Sequence, residues 1–385
     1  KLASRDSLMT APAASRAIVD LGAYAQNLAV IRGMVPRECS IMAVVKADAY
    51  GHGAVQISRK ATAEGVAMLG VATVAEALEL RDADVQCPIL VLVQPADDAL
   101  QAAVESDLRL TISSVEVAER VGELARRANR IVPIHCKIDT GMGRQGFHPE
   151  TAVKDLLHLT RISHIDIEGI TTHFAIADST RDPFTAAQLK TFRQVLRQIE
   201  KEGIPYEMTH AANSAAIVNH EGAAFDMVRA GLMTYGVWPT DTPPAVSPLT
   251  PVLRWESSLV LVKELDQGSS VGYGRTYTTH ERARTAIVPV GYADGFRHSL
   301  SNRASIIIRG KRCPVRGRVS MDQTIVDVTH VPDVQVGDTV TLIGTDGGET
   351  ITVMELAERA GTIPYEILTG IGKRVARTYV DAPRG

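Results

Sequence analysis

The chain of 385 residues has little of what marks several classes of protein. Its four cysteines (Cys39, Cys87, Cys136 and Cys313) are scattered, without a Cys-x-x-Cys pair, so we interpret them as reduced thiols and expect no metal site. No apolar run approaches the ~20 residues of a membrane span. The formal net charge is only −3, with no long block of one sign. We therefore expect neither a membrane nor a nucleic acid as the main partner.

The N-terminal residues also lack a targeting signal. Residues 1–16 have no apolar core of the kind found in signal peptides. Together with the reduced cysteines, this favours the cytoplasm. Because the chain begins with Lys1 rather than Met, removal of a leader is the alternative, and it would place the protein in the periplasm.

Short apolar runs alternate with helical patterns over the first two thirds of the chain. Eight runs have the length and composition of strands: 40–47, 67–73, 88–94, 108–113, 131–139, 165–174, 207–213 and 227–233. Segments such as TVAEALELRDA and VEVAERVGELARRAN between them place apolar residues at i, i+3, i+4 and i+7, as amphipathic helices do. Strands that alternate with helices pair in parallel. The pattern predicts an α/β protein built on a (β/α)8 TIM barrel, whose active site lies at the C-terminal ends of its strands.

The pattern changes near residue 240. The segment WPTDTPPAVSPLTP holds five prolines in 14 residues and is typical of a linker. The segments after it, such as RTAIVPVGY and DTVTLIG, are rich in β-branched residues. A chain of this length also exceeds what one core usually serves. We predict a barrel domain over 1–249, with 1–15 as an extended N-terminal segment, and a mainly antiparallel β domain over 250–385.

The first predicted strand ends unusually, with a lysine in IMAVVKADAYGHG. From position alone, a solvent-exposed Lys46 is the commoner interpretation. At the catalytic rim of a barrel, however, an amine beside apolar walls loses hydration, which lowers its pKa. Such a lysine can react with an aldehyde or act as a base near neutral pH.

Polar side chains also follow the fifth to eighth predicted strands. They are Lys137, Asp139, Thr140 and Arg144 after the fifth, His173 after the sixth, His210, Asn213 and Ser214 after the seventh, and Arg229 with Gly231 after the eighth. A single histidine on a strand is usually a hydrogen-bonded core residue. Several polar groups at the same ends of successive strands indicate a site instead. Hydroxyls and the backbone N–H groups of a glycine turn would suit a phosphate there.

The segment AVVKADAYGHG resembles the pyridoxal phosphate signature of alanine racemases. Further segments resemble that family in the same order: KIDTGMGRQGF, EGITTHFA, HAANSAA, MVRAGLMTYG, VGYGRTYT, VGYADGF and GRVSMDQ. The resemblance runs from about residue 16 to residue 380. It implies a (β/α)8 barrel followed by a β domain, and racemisation of L- and D-alanine that supplies D-alanine for peptidoglycan.

The resemblance also implies a role for each site residue. Lys46 would carry pyridoxal phosphate and act as one catalytic base. Tyr50, Ser214, Gly231 and Leu232 would surround the phosphate, Arg229 would face the pyridine nitrogen, and His173, His210 and Asn213 would complete the cofactor site. Arg144, Met321, Asp322 and Tyr292 would contact the amino-acid substrate or line its entrance. Lys137 matches a lysine that is carbamylated in many members of the family.

Inversion of a stereocentre is simplest with two bases on opposite faces. The resemblance assigns the second base to Tyr273, which would reach the active site of a partner subunit. The sequence thus implies a homodimer with shared active sites. Taken alone, a tyrosine in a glycine-rich turn is more often a packing residue.

One position departs from the family pattern. Some alanine racemases carry a tyrosine before a C-terminal Arg-Val, where this chain has Lys373, and Tyr365 lies eight residues earlier. A wider entrance would admit serine or larger amino acids, so a broader racemase is one alternative. A non-catalytic pyridoxal phosphate carrier would lack the β domain. A decarboxylase of the same fold type would need a cysteine motif that is not evident here.

Overall fold

The computed structural model describes residues 14–240 and 248–381, which form two compact units. One unit comprises residues 21–252 with Asp381, and the other comprises residues 14–20 with 253–380. None of the helices in these ranges is long and apolar enough to cross a membrane.

The first unit is a closed barrel of eight parallel strands. They are β2 (Ser40–Val44), β3 (Met68–Val71), β4 (Ile89–Val91), β5 (Arg109–Ile112), β6 (Val132–Lys137), β7 (Ile165–Thr171), β8 (Met208–Asn213) and β9 (Met227–Ala230). Strand β2 pairs with both β3 and β9, which closes the ring. The predicted (β/α)8 fold is confirmed, with each strand inside or close to its predicted run.

Helices connect these strands. They are α1 (Leu21–Met34), α2 (Lys46–Gly51), α3 (Ala54–Ala63), α4 (Val74–Asp82), α5 (Asp97–Glu105), α6 (Val115–Arg127), α7 (Ala152–Leu159), α8 (Phe184–Lys201) and α9 (Ser214–Asn219). Several begin and end as their sequences predict. Thr73 and Glu76 form a capping box at the start of α4. Gly203, two residues after α8, has φ +67°, the left-handed conformation that commonly ends a helix.

The interior of the barrel is filled with side chains. Met42, Met68, Leu90 and Met227 form a buried cluster there, against which Leu92 packs. Unbranched methionines fill irregular space well. The barrel is therefore a packed support for the groups at its rim rather than an open channel.

The second unit is mainly antiparallel, as predicted. Its strands are β1 (Ser15–Asp20), β10 (Leu253–Ser258), β11 (Leu261–Leu265), β12 (Ser270–Val271), β13 (Tyr277–Thr278), β14 (Ala283–Val288), β15 (Ser305–Ile308), β16 (Lys311–Pro314), β17 (Thr324–Asp327), β18 (Thr339–Asp346), β19 (Glu349–Ile351) and β20 (Ala376–Val380). The main sheet has the order β16-β15-β18-β10-β1-β20, with β19 on β18, and β11-β14-β17 form a second sheet. Helices α10 (Val353–Ala360) and α11 (Pro364–Thr369) complete this unit.

The N-terminal strand lies in a different unit from the one that the sequence suggested. The sequence pattern predicts a barrel domain over residues 1–249. Strand β1, however, pairs antiparallel with β10 and parallel with β20, so residues 15–20 belong to the β unit and the barrel begins at Leu21. The predicted extended segment 1–15 lies outside the described residues except for its last two, and the proline-rich linker is described only at its two ends.

Candidate active site

The backbone turns left-handed directly after Lys46, at the end of β2. Four successive residues other than glycine, Ala47 to Tyr50, have φ between 51° and 53°. Each costs roughly 1–2 kcal/mol relative to the right-handed form. Such a turn persists only where surrounding contacts impose it.

Two carboxylates hold this turn. Glu76 accepts a hydrogen bond from the backbone N–H of Ala47 at 2.7 Å while it also caps helix α4. Asp48 accepts one from the N–H of Ala54 at 2.7 Å, which ties the turn to the start of α3. The ends of β2 and β3 are thereby joined, and the base of the Lys46 side chain is fixed.

Four basic side chains, those of Lys46, Lys137, Arg144 and Arg229, interact electrostatically at this end of the barrel. Burial lowers the pKa of the Lys46 amine, and Arg144 and Arg229 lower it further while Glu76 opposes them. Burial, with Arg229 and Arg144, lowers the pKa of Lys137 to about 7. Both amines are therefore more readily uncharged than a lysine in water, and the Lys137 amine loses its proton near neutral pH.

Arg144 comes from a loop that folds around Asp139. The carboxylate of Asp139 accepts hydrogen bonds from the N–H groups of Gly141 and Gly143 at 3.0 Å and of Arg144 at 3.1 Å. These bonds give the predicted segment KIDTGMGRQG a fixed shape and place Arg144 near the two lysines.

Arg229 is buried at the end of β9 among acceptors. Its Nη1 lies 2.8 Å from His210 Nδ1 and 3.1 Å from Thr171 Oγ1. Its Nη2 donates to the carbonyl of Thr172 at 2.8 Å and lies 3.0 Å from His173 Nδ1. Burial lowers the pKa of Arg229 to about 10, so its guanidinium remains charged at neutral pH.

Hydroxyl groups meet at the neighbouring strand ends. Ser214 Oγ accepts hydrogen bonds from the N–H groups of Gly231 at 3.0 Å and Met233 at 3.4 Å, which leaves its hydroxyl hydrogen to donate. A Cβ atom on Gly231 would lie 2.7 Å from the Tyr50 hydroxyl oxygen, so only glycine allows this approach. Asn213 instead caps α9, accepting from the N–H of Ala216 at 3.0 Å. The barrel thus brings together Tyr50, Ser214, Gly231 and, next to Gly231, Leu232.

A buried chain of polar groups continues from His210 away from Arg229. His210 Nε2 lies 2.7 Å from His135 Nδ1, and His135 Nε2 lies 2.8 Å from Glu168 Oε2. Arg109 Nε donates to Glu168 Oε1 at 3.0 Å. Sequence reasoning missed these three residues. A charged Glu168 within the apolar run IDIEGIT, and the position of His135 two residues before Lys137, were the available signals.

The β unit carries the remaining predicted residues. Tyr273 is 72% exposed, and its turn packs beside Arg318 through Gly272 and Gly274. Tyr292 donates its N–H to the carbonyl of Ser320 at 3.0 Å, and so lies next to Met321. The side chains of Tyr292 and Met321 are exposed as well. Asp322 forms an ion pair with Arg374 at 2.7 Å, and Arg374 is the residue that follows Lys373.

Comparison with known proteins identifies the family to which this chain belongs. The sequence model "Alanine racemase, N-terminal domain" matches residues 19–239, and "Alanine racemase, C-terminal domain" matches residues 252–379. The chain belongs to the alanine racemase family. The resemblance found in the sequence is therefore confirmed, and the protein is an enzyme of the isomerase class.

Individual members of this family are similar over nearly the whole chain. The alanine racemase of Halothermothrix orenii is 40% identical over 94% of this chain and 95% of its own length. A solved alanine racemase of Clostridium difficile 630 is 35% identical, with a TM-score of 0.92 and 97% of both chains covered. That of Bartonella henselae, solved with covalently bound pyridoxal phosphate, is 30% identical, with a TM-score of 0.86, covering 96% of this chain and 100% of the other.

Proposed function

We propose that this protein interconverts L-alanine and D-alanine with pyridoxal phosphate held on Lys46. The observation that carries the proposal is the state of this amine. It is mounted on a rigid turn at the end of β2, and burial together with two neighbouring arginines lowers its pKa. An amine must be uncharged to bond to an aldehyde or to accept a proton.

The residues at the barrel rim fit this cofactor. A phosphate needs several hydrogen-bond donors, and the Tyr50 hydroxyl, the Ser214 hydroxyl and the backbone N–H of Leu232 would supply them beside Gly231, whose own N–H donates to Ser214 Oγ. A pyridine nitrogen needs a single donor, and Arg229 is held rigidly enough to supply it. The relative from Bartonella henselae, whose cofactor is covalently bound, supports the same assignment.

Pyridoxal phosphate supplies an electron-accepting ring that makes the α-hydrogen of an attached amino acid acidic. Lys46 would hold or release a proton at the α-carbon on one face. Arg229 does not give up its proton, so the ring nitrogen beside it would stay unprotonated. Electron withdrawal into the ring would then be moderate, which disfavours side reactions such as transamination. His173, buried and with its pKa lowered well below the ordinary value by burial and by Arg229, would stay neutral beside the guanidinium.

Tyr273 of the partner subunit would exchange the proton on the opposite face. Its exposure supports this role, because an aromatic ring that is 72% exposed in a single chain is ready to be covered by another. The protein would then be a homodimer in which each β domain completes the other subunit's active site. This would be the function of the separate β domain that the sequence predicts.

The substrate would be bound chiefly by charge. Arg144 would pair with its carboxylate, while Met321, Asp322 and Tyr292 would line the approach. Lys137, whose pKa is about 7, is suited to carbamylation, because only an uncharged amine reacts with carbon dioxide. A carbamate would place an anion beside Arg144. The four unpaired, buried cysteines support a cytoplasmic location, where D-alanine would serve peptidoglycan synthesis.

The test compares two lysine variants. The purified protein should show an absorbance band near ~420 nm from lysine-bound cofactor and should form D-alanine from L-alanine. Lys46→Ala should abolish both, whereas Lys190→Ala, on the exposed face of α8, should change neither. Turnover that survives in Lys46→Ala would refute the mechanism. A band without turnover in the unmodified protein would indicate the non-catalytic carrier.

Serine is the second candidate substrate. Lys373, which replaces the tyrosine of other family members, is exposed, and a flexible side chain there would narrow the entrance less than a fixed ring. We expect alanine to remain the better substrate. Comparison of kcat/KM for L-alanine and L-serine decides the question, and a serine rate below detection would remove the second candidate.

A further inference from the structure

We propose that Glu168 is a positioning residue that sets the direction of every hydrogen bond in the chain Glu168–His135–His210–Arg229. The inference rests on the proposed function only in that Arg229 would face the cofactor ring. All four residues are buried, with exposures of 8%, 0%, 0% and 6%. The order of their hydrogen bonds follows from which atoms can donate.

The chain begins at a carboxylate. Glu168 lies between Arg109 Nε and His135 Nε2, at 3.0 Å and 2.8 Å. Arg109 and His135 lower the pKa of Glu168 against the opposing effect of burial, so the carboxylate is ionised and can only accept. The proton between Glu168 and His135 therefore belongs to His135 Nε2.

The direction of the Glu168–His135 hydrogen bond then fixes the tautomers of both imidazoles. Burial lowers the pKa of His135 despite the opposing effect of Glu168, and it lowers the pKa of His210 well below the ordinary value. Arg229 lowers both further, so both rings are neutral. A neutral His135 that carries its hydrogen on Nε2 has a bare Nδ1, which must accept from His210 Nε2 across 2.7 Å. His210 consequently presents a bare Nδ1 to Arg229 Nη1 at 2.8 Å. The guanidinium, which has no acceptor of its own, requires this arrangement.

The opposite direction is incompatible with Arg229. If His135 carried its hydrogen on Nδ1, or on both nitrogens, His210 Nε2 would have to accept. The remaining hydrogen of His210 would then lie on Nδ1, where it would face an Arg229 N–H group 2.8 Å away and would have only Thr171 Oγ1, at 3.0 Å, as an acceptor. Both ends of the chain thus select the same tautomers, and Arg229 is held by a path that leads back to Glu168.

Replacement of Glu168 by glutamine would reverse this path. Arg109 would attract the amide oxygen, so the amide NH₂ would face His135 and force its Nε2 to accept. His135 and His210 would both shift to the Nδ1–H tautomer, and His210 would oppose Arg229. A double variant, Glu168→Gln with Arg109→Met, removes the constraint on the amide and lets its oxygen turn back toward His135.

The direct test is ¹⁵N NMR of protein labelled at histidine, with and without added pyridoxal phosphate. His135→Gln and His210→Gln assign the two signals. We expect the bare nitrogen to be Nδ1 in both rings of the unmodified protein and Nε2 in Glu168→Gln. Glu119→Gln is the matched control, because Glu119 accepts from the exposed His158 at 2.9 Å, outside the chain of buried residues. An Nδ1–H tautomer in either buried ring of the unmodified protein would overturn the proposal, and this holds even if a variant does not fold.

Activity gives a second measurement. Loss of the Arg229–His210 hydrogen bond should lower kcat/KM for L-alanine about 10- to 100-fold in Glu168→Gln, and the double variant should recover most of that loss. Glu119→Gln should stay within about twofold. If Glu168→Gln lowers the rate while its tautomers remain unchanged, Glu168 does not act through the histidines. If the tautomers reverse but the unmodified protein does not racemise alanine, the proposed function fails while the positioning role stands.

Discussion

A methyl group added at Gly169 would press directly on the buried histidine chain. Gly169 in β7 pairs in register with His135 in β6. A Cβ atom at residue 169 would lie 2.4 Å from His135 Nδ1, 2.7 Å from Cε1 and 2.9 Å from Cγ. Ordinary contacts begin at 3.4 Å, so the imidazole would have to move by about 1 Å (3.4 minus 2.4). Because His135 is 0% exposed, it has no free space into which to move.

The cost can be worked out from the contacts that would be lost. Overpacking a core costs about 1–3 kcal/mol. A shift of about 1 Å would also stretch the 2.8 Å bond to Glu168 beyond hydrogen-bonding distance, and a bond to a charged group contributes about 1.5–3 kcal/mol. We expect Gly169→Ala to lower the free energy of unfolding of the barrel by at least about 2.5 kcal/mol. For a unit of this size, that corresponds to a fall in Tm of at least about 5–10 °C.

The assay is thermal and urea unfolding followed by circular dichroism, with Gly33→Ala as the matched control. Gly33 lies in α1, and a Cβ atom there would meet nothing within 4 Å. The control should gain about 0.5–1 kcal/mol, because alanine favours a helix over glycine. If Gly169→Ala unfolds within about 1 °C of the unmodified protein, the close packing of β7 against His135 is wrong.

Three further predictions concern the barrel rim. Lys137 has a pKa of about 7 when folded, below its unfolded value of 10.5, so between these values the unfolded chain binds more protons and stability rises with pH. In buffer free of carbon dioxide, the free energy of unfolding of the unmodified protein should rise relative to that of Lys137→Met by about 1 kcal/mol per pH unit between about pH 7.5 and pH 9.5. Stability profiles of the two proteins that run parallel over this range would contradict this. Glu76→Gln should lower the pKa of Lys46 further, so the rate at which the protein binds added pyridoxal phosphate should reach its plateau at a lower pH. Glu79 is exposed on the same helix, and Glu79→Gln should leave the pH dependence of this rate unchanged. Gly231→Ala should destabilise the barrel by about 1–3 kcal/mol, because the added Cβ would press on the Tyr50 hydroxyl. Adding Tyr50→Phe should restore part of this stability, since the nearest atom of the ring would then be Cζ at 3.4 Å. If stability does not recover, the added Cβ clashes with a different group.

Much of the fold could be predicted because it follows from local pattern. The barrel strands lie in short, mainly apolar runs whose residues are mostly buried, and helices α4 and α8 carry residues that mark their ends in the sequence. The segments that end in Lys46 and Lys137 were identifiable for the same reason. A charge at the end of an apolar run is visible in the sequence, and the geometry of a barrel brings such ends together.

Other features depend on register and long-range pairing, which the sequence does not display. The assignment of β1 to the β unit depends on its partners β10 and β20, which lie more than two hundred residues away. The roles of His135 and Glu168 depend on the alignment of β6 with β7, which is interrupted by an irregularity between Ile134 and His135. A shift of one residue would turn these side chains to the other face of the sheet.

The left-handed turn after Lys46 has a consequence for the chirality of the chain itself. A left-handed backbone is unfavourable for L-residues but is the preferred form of their mirror images, by the same steric argument. In a chemically synthesised chain, D-alanine at position 47 or 49 should therefore stabilise the folded state by roughly 1–2 kcal/mol at each site. In a family named for racemising alanine, the segment that follows Lys46 has the backbone geometry that D-alanine would adopt by itself.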